Sequence, residues 1–125
     1  MSQLQGTGRR EQRQSKADRE AGLVLNALQR AGLKENTIFV FTTDHGLEMN
    51  RAKMTLFDPG LEVATLIQWK GSLPAGQRLP QMLSNLDLLP TLLDLAGLVT
   101  PAGLNGISFA PALRGDARPT RSWRK

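Results

Sequence analysis

Ala21, Val24, Leu28 and Ala31 recur at three- and four-residue steps, with Leu25 beside them, and predict a helix from about Asp18 to Ala31. Gly32 followed by Leu33 reads as a left-handed helix end with its apolar follower. The run Thr37 to Thr43 is almost continuously β-branched or aromatic, which predicts a strand covered on both faces, as in the parallel interior of an α/β sheet. A polar segment, Asp44 to Gly60, closes on the Pro59-Gly60 turn, and a second strand is predicted from Glu62 to Trp69. Gly71, Pro74 and Gly76 then break the chain, and Gln81 to Ser84 reads as a short strand. Asp87 is placed to cap a helix that tolerates Pro90 in its first turn. Leu88, Leu92, Leu95 and Ala96 give that helix an apolar face, Gly97 stops it, and a last short helix is expected over Ser108 to Arg114. Residues 1–17 and 115–125 show no apolar periodicity and are expected to be a disordered leader and tail around one folded region, 18–114.

The order helix, buried strand, long loop, buried strand, helix is that of a layered α/β fold with a mostly parallel sheet flanked by helices. Strands this apolar need neighbours on both sides, and the sequence supplies few, so the pattern suits a fragment of a larger sheet. The 125 residues carry 40% hydrophobic residues, enough for one small core.

Charge changes the picture only at the ends. The net charge is +5, with five bases and three acids over Met1–Glu20, and five bases and one acid over Arg114–Lys125. The intervening residues hold six bases and seven acids, so a nucleic-acid partner would have to be read by the tails alone, and none is expected. The absence of cysteine removes disulfides, thiolate metal sites and a cysteine nucleophile. No apolar run approaches the roughly 18 residues of a membrane span, so no membrane partner is expected, and Met1–Glu20 has no signal-peptide stretch.

In open α/β sheets ligands sit beyond the carboxyl ends of the strands. The strand ending at Thr43 runs straight into Asp44-His45-Gly46, so a carboxylate and the chain's single imidazole can aim at one ion. On spacing alone, Asp44 could equally cap the next turn and His45 form a surface hydrogen bond. Glu48 and Asp58 are further candidates by proximity, and Lys53, in the same loop, could neutralise an anionic substrate or simply face solvent.

The consecutive runs NTIFVFTTDHG, RAKMTLFDPGLEVATLIQW, LSNLDLLPTLLDLAGL and NGISFAPALRGD resemble the sulfatase family, over about Asp18 to Asp116. In that family a strand ends in Asp-His-Gly or Asp-Asn-Gly, a loop lysine follows, and a Leu-Asp-Leu-x-Pro-Thr helix start comes later. The Lys-x-Thr-Leu-x-Asp-Pro-Gly stretch is most similar to the heparan N-sulfatase-like branch.

The resemblance implies part of the α/β/α catalytic domain of the alkaline-phosphatase superfamily. Asp44 and His45 would match a metal pair, with calcium as the usual ion, and Lys53 the lysine that contacts sulfate. The implied activity is hydrolysis of a sulfuric ester or sulfamate, on a sulfated small molecule or glycan. The family's nucleophile is a formylglycine made from Cys or Ser in a Cys/Ser-x-Pro-x-Arg motif. The chain has no Cys, and none of Ser2, Ser15, Ser72, Ser84, Ser108 or Ser122 opens that pattern. The nucleophile is therefore expected upstream, and the chain alone is expected to be inactive. A phosphatase or phosphodiesterase fragment of the same superfamily, and a non-enzymatic protein binding through its basic tails, are the alternative readings.

Overall fold

The computed structural model describes residues 4–46 and 55–116, in two units that meet at Lys70 and Gly71. In the first unit, helix α1 spans Leu4–Arg30. It therefore begins well before Asp18 and takes in most of the leader expected to be disordered. The expectation rested on apolar periodicity, which this segment lacks. Its Gln, Arg, Glu and Lys residues are nevertheless good helix formers. The predicted helix end is observed. Gly32 sits at φ 68°, its N–H reaches Gln29 O at 3.2 Å, and Leu33 N–H reaches Leu28 O at 3.0 Å. This is the paired closure of a Schellman end.

A 3-10 turn at Lys34–Asn36 leads into strand β1, Phe39–Thr42, shorter than the predicted Thr37–Thr43. Strand β2, Thr65–Gln68, pairs with it antiparallel, with Phe39 opposite Gln68, Val40 opposite Ile67, Phe41 opposite Leu66 and Thr42 opposite Thr65. The parallel neighbour expected for β1 is thus corrected for this pair. A β-branched run reports that a strand is apolar on both faces but not which way its partner runs. The four-residue helix α2, Asp58–Leu61, lies in the connection between the strands. The Thr42 and Thr65 hydroxyls meet across the pair at 3.1 Å. Trp69 Nε1 donates to Glu35 O at 2.9 Å and Lys70 Nζ to Glu35 Oε1 at 3.1 Å, which tie the far end of β2 to the turn before β1. No residue of β1 or β2 is buried, and Leu66 is 64% exposed. Described residues of this chain do not cover the sheet as its composition requires.

The second unit holds the core. A 3-10 turn at Asn85–Asp87 runs into helix α3, Leu88–Leu95, and a short helix α4 spans Ala110–Leu113, within the predicted Ser108–Arg114. Gln81 to Ser84 forms no strand. Pro90 lies in the first turn of α3, as expected, and is buried. The buried stripe of α3 is not the predicted Leu88, Leu92, Leu95 and Ala96. It includes Thr91 and Leu95 as well as Pro90, preceded by Asp87, while Ala96 is exposed.

The reason is a set of hydrogen bonds to the chain around residues 105–114. Asp87 does not cap α3 with its side chain. Its carboxylate instead accepts Ser84 N–H and Ile107 N–H, each at 2.8 Å. Thr91 Oγ1 donates to Asp87 O at 2.6 Å and accepts Phe109 N–H at 3.0 Å. Asp94 accepts the Ser108 hydroxyl at 2.6 Å and the Arg114 guanidinium at 3.3 Å. Phe109, Ala110 and Ala112, all buried, pack in the space these bonds define. Gly97, at φ 70°, ends α3 with Leu98 N–H on Leu93 O at 2.8 Å, as predicted. Residues 117–125 of the expected tail lie outside the described residues.

Candidate active site

The predicted site lies where β1 ends. Thr43 N–H bonds Ala64 O at 3.1 Å, and Thr43 Oγ1 accepts Ala64 N–H at 3.1 Å, so the strand end is fastened twice to the residue before β2. Asp44 follows with its side chain 92% exposed, and His45 with its side chain 37% exposed. His45 Nε2 stands 3.6 Å from Asp44 Oδ1, so the structure does bring the predicted pair together.

The other ring nitrogen is engaged. His45 Nδ1 lies 2.8 Å from Gly46 O. A carbonyl oxygen only accepts, so Nδ1 is the donor, and a neutral ring keeps its lone pair on Nε2. In that neutral form Nε2 and the Asp44 carboxylate oxygen both offer lone pairs on the same side of the loop. That pair could offer two ligands to one divalent cation. Calcium takes about six to eight oxygen ligands, so the pair could supply only a minority of its shell, and imidazole favours softer transition ions.

Among the described residues no group of three or more His, Asp or Glu side chains could hold a metal. Asp58 opens α2 as an exposed residue and joins no such group. Lys53 and Glu48 lie outside the described residues.

What the sequence reading missed is the seat beneath the pair. Gly46 N–H bonds Gly60 O at 3.1 Å. A Cβ on Gly46 would overlap the Pro59 carbonyl oxygen and stand 2.8 Å from Gly60 C and 2.9 Å from Gly60 O. Glycine at 46 is therefore set by close approach of the 58–60 turn. The glycine after Asp-His and the Pro-Gly pair were visible separately, but only folding joins them.

The solved structures that match the chain, a phosphonate hydrolase and sulfatases, have the alkaline-phosphatase-like fold, and the chain is part of that fold class. A phosphonate monoester hydrolase from Silicibacter pomeroyi superposes with a TM-score of 0.73 at 32% identity, covering 86% of this chain and 21% of that one. A protein solved in complex with its substrate, D-glucosamine-2-N,6-O-disulfate, gives 0.67 at 27% identity, over 83% of this chain and 22% of that one. The Sulfatase family model matches residues 11–98, and the chain belongs to the sulfatase family. It is 30% identical over 112 residues to an N-acetylglucosamine-6-O-sulfatase of Bacteroides thetaiotaomicron, covering 86% of this chain and 20% of that protein. The chain thus spans about a fifth of the length of the curated relatives it matches.

Proposed function

We propose that this chain contributes the Asp-His metal corner and the sulfate-contacting lysine of a sulfuric ester hydrolase acting on a sulfated glycan. The observation that carries the reading is the 3.6 Å approach of Asp44 Oδ1 and His45 Nε2 at the end of β1. The family membership and the sulfated sugar bound by one structural neighbour support it. Asp44 and His45 would hold a divalent cation, calcium by resemblance, whose chemistry when bound is to draw negative charge from the sulfuryl oxygens. Lys53 would attract the sulfate and stabilise the charge that develops on its oxygens and on the leaving group. The attacking group would be a formylglycine, which no residue of this chain can become by the family's motif. By itself the chain is therefore expected to turn over nothing.

The test is co-production with a sulfatase segment that carries the formylglycine motif. The pair should hydrolyse 4-nitrophenyl sulfate and the chain alone should not. Turnover by the chain alone would sink the reading. A second reading, a phosphonate or phosphate ester hydrolase, is favoured by the similarity to the phosphonate monoester hydrolase. Faster cleavage of phenyl phosphonates than of aryl sulfates by the same pair would select it.

A further inference from the structure

The loop that carries Asp44 and His45 is fastened at both ends to one short stretch of chain, 60–64. On one side Thr43 exchanges two 3.1 Å hydrogen bonds with Ala64. On the other, Gly46 N–H bonds Gly60 O at 3.1 Å. The stretch is itself braced. Gly60 N–H bonds Phe57 O at 2.8 Å, Glu62 N–H bonds Asp58 O at 2.8 Å, and Pro59 fixes its own backbone. Gly46 is thus a backbone bridge. Its N–H faces the turn and its carbonyl faces His45 Nδ1 at 2.8 Å.

We infer that Gly46, seated on the 58–60 turn, is a positioning residue that fixes the His45 tautomer and turns Nε2 towards Asp44. This rests on the reading of Asp44 and His45 as a metal pair. The bond made by one ring nitrogen decides which nitrogen can bind a metal. With Nδ1 donating to Gly46 O, the free lone pair is on Nε2, the atom 3.6 Å from Asp44 Oδ1. The requirement for glycine is purely one of space. Gly46 is not among the positive-φ glycines, so no left-handed backbone calls for glycine there, whereas any Cβ would strike Pro59 O and Gly60. A Cβ at 46 would therefore push the loop off the turn and carry the Gly46 carbonyl away from the ring.

His45 is the chain's single histidine, so the imidazole region of a nitrogen-15 spectrum of the full chain holds one ring. With the ring neutral, the wild type should show a protonated Nδ1 and a bare Nε2, and added Zn2+, an imidazole-seeking probe, should move the Nε2 signal. Gly46→Ala should shift the proton towards Nε2 and weaken Zn2+ binding by about tenfold or more, the usual scale for loss of an outer partner of a metal-binding histidine. Gly22→Ala is the control, because a Cβ there meets nothing within 4 Å, and it should leave the ring unchanged. A wild-type ring protonated at Nε2 overturns the inference without any variant having to fold. So does Gly46→Ala with wild-type tautomer and Zn2+ affinity. If Gly46→Ala moves the proton while Zn2+ leaves even the wild-type ring untouched, the positioning role stands and the metal reading fails.

Discussion

The Thr91 hydroxyl accepts the Phe109 amide at 3.0 Å, with both residues almost wholly buried. The same hydroxyl donates to Asp87 O at 2.6 Å, so one side chain closes α3 against the residues that lead into α4. Replacing it with valine keeps the volume and strands the Phe109 N–H away from water. A buried donor left unpaired costs about 1–3 kcal/mol. Thr91→Val should therefore lower stability by that order in denaturant titrations, and Thr91→Ser should recover most of the loss. Equal stability of the valine variant and wild type would show that water reaches the site.

Gly106 tests the same seam from its other side. A Cβ there would overlap the Leu86 carbonyl and stand 3.1 Å from Asp87 Cα, all backbone that cannot swing aside. Gly106→Ala should displace Ile107 from the Asp87 carboxylate, to which its N–H bonds at 2.8 Å. Overpacking of this kind costs about 1–3 kcal/mol. Thermal unfolding of Gly106→Ala beside Gly103→Ala, where a Cβ meets nothing within 4 Å but φ is 88°, separates crowding from backbone strain. The larger loss is expected at Gly106.

The two units should differ in local stability. Phe109 and Thr91 are buried, whereas none of residues 16–46 and 55–70 is. Amides protected by few apolar contacts open most easily. Native-state hydrogen exchange should find the Phe109 amide among the slowest, with the β1 and β2 amides exchanging well ahead of it. Slower exchange in the strands than at Phe109 would contradict the burial pattern.

What could be read in the sequence follows the physics of each signal. Gly32-Leu33 and Gly97 were legible as helix ends because one left-handed glycine and two hydrogen bonds are local events. Asp44-His45 was legible because a strand that runs straight into a polar pair must present it at its end. The direction of the β1–β2 pairing was not, since composition carries no sign for it. The roles of Asp87 and Thr91 were hidden for a different reason. Their burial is stabilised by partners about twenty residues away, at Ile107 and Phe109, and an apolar template passes over polar residues. The seat of Gly46 on Pro59 and Gly60 is likewise a contact that no spacing rule announces.

The last prediction separates the roles assigned to Asp44, His45 and Lys53, using the chain joined to a segment that carries the nucleophile. Asp44 and His45 meet at 3.6 Å and each offers a lone pair, so removing either should act through the ion. Asp44→Ala and His45→Ala should lower metal content together with activity, and excess metal should restore part of both. Lys53 carries a positive charge and no lone pair for a cation, so in the proposed role it acts on the anionic substrate and not on the ion. Lys53→Ala should lower kcat by about 10²–10³, the scale for removing one group that stabilises developing charge, with metal content unchanged. Metal analysis beside steady-state kinetics on an aryl sulfate decides the matter. Equal metal loss in all three variants, or full activity in Lys53→Ala, would remove the distinction between holding the ion and stabilising the sulfuryl group.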